Sequence, residues 1–322
     1  MNIDVHAHII PANLMKSKLL SPEIEEIGAG VYSYVIWGNR IRPAYAALTD
    51  ENEHLAYMDA QGIDVEVLST SPYLFGYDKD PAFGRELTRA FNDELADICK
   101  KHPDRFIGLG SVPLQDTPSA VEELKYCVTK LGFAGVELCS HVCEEDLDED
   151  RFADFFAAAN ELGCSILIHP HNIPPRKRLT KYYTANLIGN PIETTLTASR
   201  MLLSGFFNKY PKLRVCFAHG GGAFPYVYSR IKNGFAVRPE IKSDILPTVD
   251  LPDNMYFDSI VFEEKTFRFM IDAVGLDRVV LGTDYPFDMR LDEPVKTIKN
   301  WCSEQEAKKV LTENANRFLG RP

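Results

Sequence analysis

The feature that most constrains the fold is a regular alternation of short apolar runs with longer amphipathic stretches along the 322-residue chain. Eight runs rich in Val, Ile, Leu and Phe are predicted to form strands, at 2–6, 64–70, 106–112, 135–139, 165–169, 213–219, 255–259 and 279–284. Helices are predicted to follow them, over 51–61, 81–101, 117–131, 149–162, 193–209, 223–235, 264–274 and 293–319. Such apolar strands are typical of a sheet covered on both faces, so the pattern predicts an α/β fold, a (β/α)8 TIM barrel.

One segment interrupts the alternation. Residues 11–50 form an insertion after the first strand, in which the runs 31–37 and 39–42 flank Gly38-Asn39, a plausible hairpin turn. Long insertions that directly follow a strand carrying candidate ligands are more often functional than passive linkers. We therefore expect this insertion to lie over the mouth of the barrel. No interdomain linker is evident, and residues 1–322 are predicted to form a single domain.

Charge and cysteine content narrow the range of partners. The net charge of −11 and the pI near 5.3 argue against nucleic acid and anionic membranes. The sequence offers neither a transmembrane run nor a leader. The seven cysteines include no CxxC pair, and Cys139, Cys164 and Cys216 fall in predicted strands, where buried thiols are expected. These features predict a cytoplasmic protein whose partner is a small molecule.

Four histidines and one aspartate fall at predicted strand ends. His6 and His8 end the first strand on the same face, while His169, His219 and Asp284 end the fifth, sixth and eighth strands. The active site of a TIM barrel forms at the carboxyl ends of its strands. Each residue alone also fits an ordinary role as a core histidine, a turn residue or a cap; their convergence favours a metal site. By contrast, His54 and His102 lie in or after helices and are predicted to be solvated.

A ligand set follows from this placement. His6, His8, His169 and Asp284 would bind one divalent ion and leave a position open for water. Three imidazoles and a carboxylate suit Zn²⁺, with Mn²⁺ as the alternative. The fourth strand ends in 137–141 without the lysine that a binuclear centre commonly uses, which favours a single ion. His141 is expected to be a polar loop residue, with a position just behind the ligands as the alternative.

His219 remains as a candidate acid/base, because a histidine titrates near neutral pH. The alternative is that it only begins a tight turn, since glycines follow at 220–222. Arg42 and Arg238 are candidates for holding a substrate carboxylate through a planar guanidinium fork, although most arginines are simply solvated.

The longest motifs resemble a known family. The segments 3–11, 215–225, 281–287 and 314–320 resemble the amidohydrolase-2 group of the metal-dependent hydrolase superfamily, and most closely its family of 2-amino-3-carboxymuconate-6-semialdehyde decarboxylases. The resemblance covers nearly the whole chain. It implies a zinc-dependent decarboxylase on a TIM barrel that uses no organic cofactor and acts as a homodimer.

The resemblance also implies roles for individual residues. The metal ligands would be His6, His8, His169 and Asp284; the catalytic residues would be His219, which activates a zinc-bound water, and Asp284. Arg42, Arg238 from the neighbouring subunit and Phe287 would contact the substrate. The sequence departs from the family where Trp-Asp-Met is replaced by His171-Asn172-Ile173, and a tryptophan expected near 182–183 is absent. His171 is thus either a polar contact to the substrate or a loop histidine.

Overall fold

The computed structural model describes residues 1–28, 31–41, 45–171, 173, 177–241 and 245–321. Eight parallel strands follow one another around a single sheet in chain order. They are β1 Ile3–Ile9, β2 Val65–Thr70, β3 Phe106–Gly110, β4 Gly135–Cys139, β5 Ser165–His169, β6 Arg214–Phe217, β7 Met255–Asp258 and β8 Val279–Val280. The predicted strands are therefore all present, with the eighth shorter than expected.

The sheet closes on itself between its first and last strands. Beyond β8 the chain continues beside β1, where Val5 N donates to Leu281 O at 2.9 Å and His8 N donates to Tyr285 O at 2.8 Å. A parallel bridge between Ala7 and Tyr285 completes the contact. This closure, together with the order of the strands, confirms the predicted (β/α)8 barrel.

Helices follow the strands as the alternation requires. The longer ones are α1 Glu51–Gln61, α2 Pro81–Lys101, α3 Thr117–Tyr126, α4 Ala153–Leu162, α5 Asn190–Leu203, α6 Phe224–Val237, α7 Glu264–Val274 and α8 Pro294–Trp301. Shorter α-helices lie at Ala12–Met15, Phe206–Lys209, Glu304–Lys308 and Asn314–Phe318, and π-helical turns at Cys127–Leu131, Ala185–Gly189 and Lys309–Glu313. Several begin with aspartate caps, as Asp50 and Asp80 do, because the carboxylate accepts a free backbone N–H of the first turn.

The insertion after β1 folds into a small antiparallel sheet of three strands, Glu23–Gly28, Val31–Ile36 and Asn39–Ile41. The last two form a hairpin whose turn is at Trp37 and Gly38, one residue earlier than the predicted turn at Gly38-Asn39, because Asn39 already pairs with Ile36. Gly38 has a φ of +80°, which a residue without a Cβ adopts without strain. The Trp37 ring packs edge-on against Phe83 at 5.7 Å, and this contact fixes the insertion to α2.

Two apolar clusters fill the molecule. The larger lies largely between the sheet and the surrounding helices. The smaller joins strand residues such as Val67 and Leu167 to Phe318 of the last helix. Ser165 Oγ and Arg214 Nε, at the starts of β5 and β6, both donate to Phe318 O at 2.6 Å, so this helix covers the amino-terminal end of the barrel. None of the described helices is long and apolar enough to cross a membrane.

Candidate metal and active site

The five predicted residues meet at the open, carboxyl end of the barrel. His6 and His8 alternate along β1, His169 is the last residue of β5, and His219 and Asp284 follow β6 and β8. His6, His8, His169 and Asp284 are buried, and the His219 side chain is 17% exposed. The folded chain thus brings together residues that are up to 278 positions apart in sequence, from 6 to 284.

The Asp284 carboxylate lies at the centre of the cluster. Its Oδ1 is 3.1 Å from His8 Nε2, 3.6 Å from His6 Nε2 and 3.9 Å from His169 Nε2. Its Oδ2 is 3.5 Å from His219 Nε2. The ligand atoms of His6, His169, His219 and Asp284 all lie within 4.8 Å of one another. A single ion could therefore be reached from every one of these side chains.

The hydrogen bonds behind His6 and His8 test whether this cluster fits a metal. His8 Nδ1 lies 2.8 Å from Thr70 O, and His6 Nδ1 lies 2.8 Å from Asp258 Oδ2. Both partners are acceptors, so in the neutral rings the proton sits on Nδ1 and the Nε2 lone pairs face the cluster. The two Nε2 atoms are only 2.9 Å apart. Two lone pairs at this distance repel each other unless a cation lies between them.

Unpaired buried atoms point to the same conclusion. His169 Nε2 and Asp284 Oδ1 are buried and make no hydrogen bond to the described residues. Leaving buried polar atoms without a partner is costly, and metal coordination removes that cost. Three imidazoles and a carboxylate are also the donors that Zn²⁺ and related divalent ions accept. The residues present therefore fit a divalent metal ion.

Electrostatics favour the metal-binding forms of His6, His169 and Asp284. Burial lowers the pKa of His6, and it lowers the pKa of His169 well below the usual value, with the neighbouring imidazoles adding to the effect. Burial by itself would raise the pKa of Asp284, but the adjacent His219, His8 and His6 rings hold it well below its usual range. At His8, burial lowers the pKa, but the charges of Glu137 and Asp284 raise it above its usual value overall. Neutral imidazoles and an ionised carboxylate are the metal-binding forms of these side chains.

Asp258 is a functional candidate that the sequence reasoning missed. Its Oδ2 lies 2.8 Å from His6 Nδ1 and accepts the backbone N–H of His219 at 2.8 Å; its Oδ1 accepts those of Gly220 at 2.7 Å and Ile260 at 3.0 Å. One carboxylate thus orients a metal-type histidine and positions His219. It ends β7, so the rule that drew attention to the other strand ends would also have found it.

We expect Asp258→Asn to weaken metal binding by about 10- to 100-fold, because the amide cannot accept all four of these hydrogen bonds and leaves His6 free to rotate. Competition of the purified protein against a chelating dye for Zn²⁺ measures the change. Asp253→Asn, at a fully exposed carboxylate, is the matched control. Equal affinity in Asp258→Asn and wild type would contradict the role given to Asp258.

His219 and Asp284 both have left-handed backbone conformations, with φ of +57° and +66°. Such strain in residues other than glycine concentrates at functional sites. The turn after His219 also needs glycine, because a Cβ on Gly222 would come within 2.1 Å of Pro191 O. The two interpretations of His219 are therefore compatible: it starts a tight turn, and that turn aims its ring at Asp284.

A second buried carboxyl lies beside the ligands. Glu137 on β4 is fully buried, and its Oε1 is 3.8 Å from His8 Nδ1. Burial raises the pKa of Glu137 to about 8. The sequence pattern alone assigns Glu137 no role, because it lies inside the predicted strand 135–139 and not at its end.

The three residues that were predicted to contact the substrate differ in where the structure places them. Phe287 lines the cavity in front of the ligands, with its ring 5.4 Å from that of His8. Arg238 follows the end of α6, is exposed, and donates to Glu240 Oε1, so its own chain does not bring it to the site. Arg42 lies outside the described residues.

Two histidines outside the cluster, His54 and His141, are buried. His54 is buried, not solvated, because its two ring nitrogens pair with Glu66 Oε2 at 2.5 Å and Ala47 O at 2.9 Å. The prediction that His54 is solvated was wrong. The position of His54 on a helix does not indicate that a carboxylate of β2 will pack against its ring. His141 is also buried, and its Nδ1 accepts Glu144 N at 3.1 Å.

Comparison with known proteins identifies the family. The model of the amidohydrolase family matches residues 3–321. The chain belongs to this family. It is 33% identical over 336 residues to 2-amino-3-carboxymuconate-6-semialdehyde decarboxylase of Dictyostelium discoideum, covering 99% of this chain and 92% of that one.

Solved structures of the family share the barrel. The 5-carboxyvanillate decarboxylase of Sphingomonas paucimobilis has a TM-score of 0.81 at 25% identity, covering 100% of this chain and 99% of that one. A dihydroxybenzoic acid decarboxylase of a Polaromonas species has a TM-score of 0.78 at 24% identity, covering 99% of this chain and 96% of that one. The latter was solved with manganese and the inhibitor 2-nitroresorcinol.

Proposed function

We propose that this amidohydrolase is a metal-dependent carboxy-lyase, without an organic cofactor, that removes carbon dioxide from an unsaturated or aromatic carboxylate. The observation that carries the proposal is the set of imidazole and carboxylate donors around Asp284, which fits a divalent ion. The relatives described above are named decarboxylases and match nearly the full length of the chain. This combination favours decarboxylation over the alternative, metal-assisted hydrolysis or hydration of a lactone or unsaturated diacid.

The proposed ligands are His6, His8, His169 and Asp284, and the proposed ion is Zn²⁺, with Mn²⁺ supported by the Polaromonas relative. When bound, the ion supplies positive charge that orients the substrate oxygens and stabilises the negative charge that develops as carbon dioxide leaves. Behind the ligands, Asp258 and Thr70 O hold the rings of His6 and His8 in fixed orientations.

His219 is the proposed proton carrier. In a decarboxylation the carbon–carbon bond to the carboxylate breaks, carbon dioxide departs, and the remaining carbon takes up a proton. His219 Nε2 faces the cavity 3.5 Å from Asp284 Oδ2, and Asp258 fixes its backbone from behind. Burial lowers the pKa of His219, but hydrogen bonding to Asp284 raises it above its usual value overall. A histidine that gains and loses a proton readily is suited to hold and deliver that proton.

The proposed substrate is 2-amino-3-carboxymuconate semialdehyde, the compound that appears in the name of the Dictyostelium relative. The test is a spectrophotometric assay of Zn²⁺-loaded protein with freshly generated substrate, with trapped carbon dioxide as a second readout. We expect loss of substrate absorbance with an equal amount of carbon dioxide, abolished by chelation and restored by Zn²⁺ or Mn²⁺. Water addition without carbon dioxide would favour the hydratase alternative. Turnover of a dihydroxybenzoate or 5-carboxyvanillate alone would reassign the substrate.

We also propose a homodimer in which Arg238 reaches into the partner's active site and, with Arg42, holds a substrate carboxylate. The exposure of Arg238 outside its own site supports this arrangement. Mixing chains that carry His219→Asn with chains that carry Arg238→Ala should then restore about a quarter of wild-type activity, because half of the randomly formed dimers have one intact site. Activity of the refolded mixture measures this, with each variant alone as the control. No recovery despite mixed dimers would exclude the shared site.

Two further assignments complete the proposal. The chain is a single domain whose segment 11–50 lies over the active-site mouth. The contact between Ile10 N and Leu48 O at 2.7 Å supports this, because it returns the end of the segment to the carboxyl end of β1. A cytoplasmic location is supported by the cysteines, which are all free thiols.

A further inference from the structure

Aromatic rings form one wall of the cavity and extend outward from the candidate metal ligands. The Phe287 ring lies 5.4 Å from that of His8, and the Tyr73 ring lies 6.4 Å from Phe287. His171 continues the wall, with its ring 5.0 Å from Tyr73 and inclined by 68°. A planar substrate held at the ligands would therefore extend along this wall toward His171.

The backbone of His171 contacts the neighbouring strand β4. It lies two residues beyond the end of β5, and its carbonyl oxygen accepts the Cys139 thiol at 3.6 Å. The ring is half-buried, and no hydrogen bond to either ring nitrogen comes from the described residues. A histidine in an otherwise aromatic wall thus offers a cavity ligand a donor and an acceptor that phenylalanine would lack.

Other residues that line the cavity are polar, and none of the described lining residues is a lysine or an arginine. Asn186 and Asn190 contribute amides, and Asp288 contributes a carboxylate. Away from the metal ligands and His219, these groups can hydrogen-bond neutral oxygen or nitrogen substituents of a ligand. His171 therefore lines a cavity whose other polar groups are suited to uncharged hydrogen-bonding substituents.

We propose that His171 determines specificity, by hydrogen-bonding an uncharged hydroxyl, amino or carbonyl substituent of the substrate and so favouring compounds that carry it. The assignment rests on the proposed function, since it takes the cavity as the substrate site. It favours the first interpretation of His171, a polar contact to the substrate, over a loop histidine without such a contact.

The test compares two ligands that differ by one hydroxyl, 2-nitroresorcinol and 2-nitrophenol, bound to Mn²⁺-loaded protein and measured by calorimetry. Wild type should bind 2-nitroresorcinol about tenfold more tightly, which is the size expected of one hydrogen bond. His171→Phe keeps a ring in the wall but removes the nitrogens, and should reduce the preference to less than about twofold. His171→Gln, which keeps a donor and an acceptor, should retain more of the preference than His171→Phe does.

His102→Phe, the same change at the end of α2, is the matched control and should behave as wild type. Metal content, measured on each variant, should stay unchanged. Equal affinity of wild type for the two ligands, an unaltered preference in His171→Phe, or binding of neither ligand would overturn the assignment. Because binding is measured, failure of the proposed function would appear separately, as absence of carbon dioxide release in the substrate assay.

Discussion

Asp284→Asn should lose metal and activity together. The Asp284 carboxylate lies within 4 Å of all four imidazoles, with Oδ1 3.1 Å from His8 Nε2 and Oδ2 3.5 Å from His219 Nε2. An amide removes the negative charge that balances a divalent ion among neutral imidazoles. We expect the affinity for Zn²⁺ to fall by more than about 100-fold and turnover at micromolar Zn²⁺ to fall by about 1,000-fold or more. Metal analysis and the carbon dioxide assay measure the two effects.

The substitution is informative because it should preserve the fold. Asparagine is among the residues that best tolerate a left-handed backbone, and Asp284 has a φ of +66°. Asp288→Asn is the matched control, since that carboxylate lines the same cavity outside the ligand cluster, and it should keep its metal. A folded Asp284→Asn protein with wild-type metal content would remove Asp284 from the ligand set.

The barrel could be predicted because each of its strands must be covered on both faces. Because of that requirement, each strand is a continuous run of apolar residues. The run can be recognised even where the observed strand is shorter than the run, as at Val279–Val280. The candidate ligands could be located for a related reason. Once the barrel is assumed, the carboxyl end of every strand points to one mouth, so His6, His169 and Asp284 are placed together before any distance is known.

What the sequence could not supply are contacts between side chains from distant elements. Nothing local to His54 indicates that Glu66 of β2 will meet its ring at 2.5 Å. Nothing near Asp258 indicates that it will accept hydrogen bonds from His219 and Gly220. Such pairings depend on strand register and helix packing, which the pattern of apolar residues constrains only coarsely.

His219→Asn should separate metal binding from catalysis. If His219 is the proton carrier, the variant should bind Zn²⁺ within about twofold of wild type while kcat falls by about 100- to 10,000-fold. Asparagine suits the φ of +57° at this position, so the turn into α6 is expected to survive. His8→Asn is the necessary companion, because it should lose metal. His102→Asn, remote from the site, should change neither property.

Loss of metal in His219→Asn would instead indicate that His219 is itself a metal ligand. His219 Nε2 also lies within reach of the ion, since its ligand atom falls within 4.8 Å of those of His6, His169 and Asp284. If His219→Asn lost its metal and His8→Asn kept it, the two histidines would exchange roles. Because Asp258 holds both the His6 ring and the His219 backbone, it would still fix the ligand geometry. The proton would then have to come from another cavity group, and the pH dependence of kcat in His8→Asn would identify whether His8 supplies it.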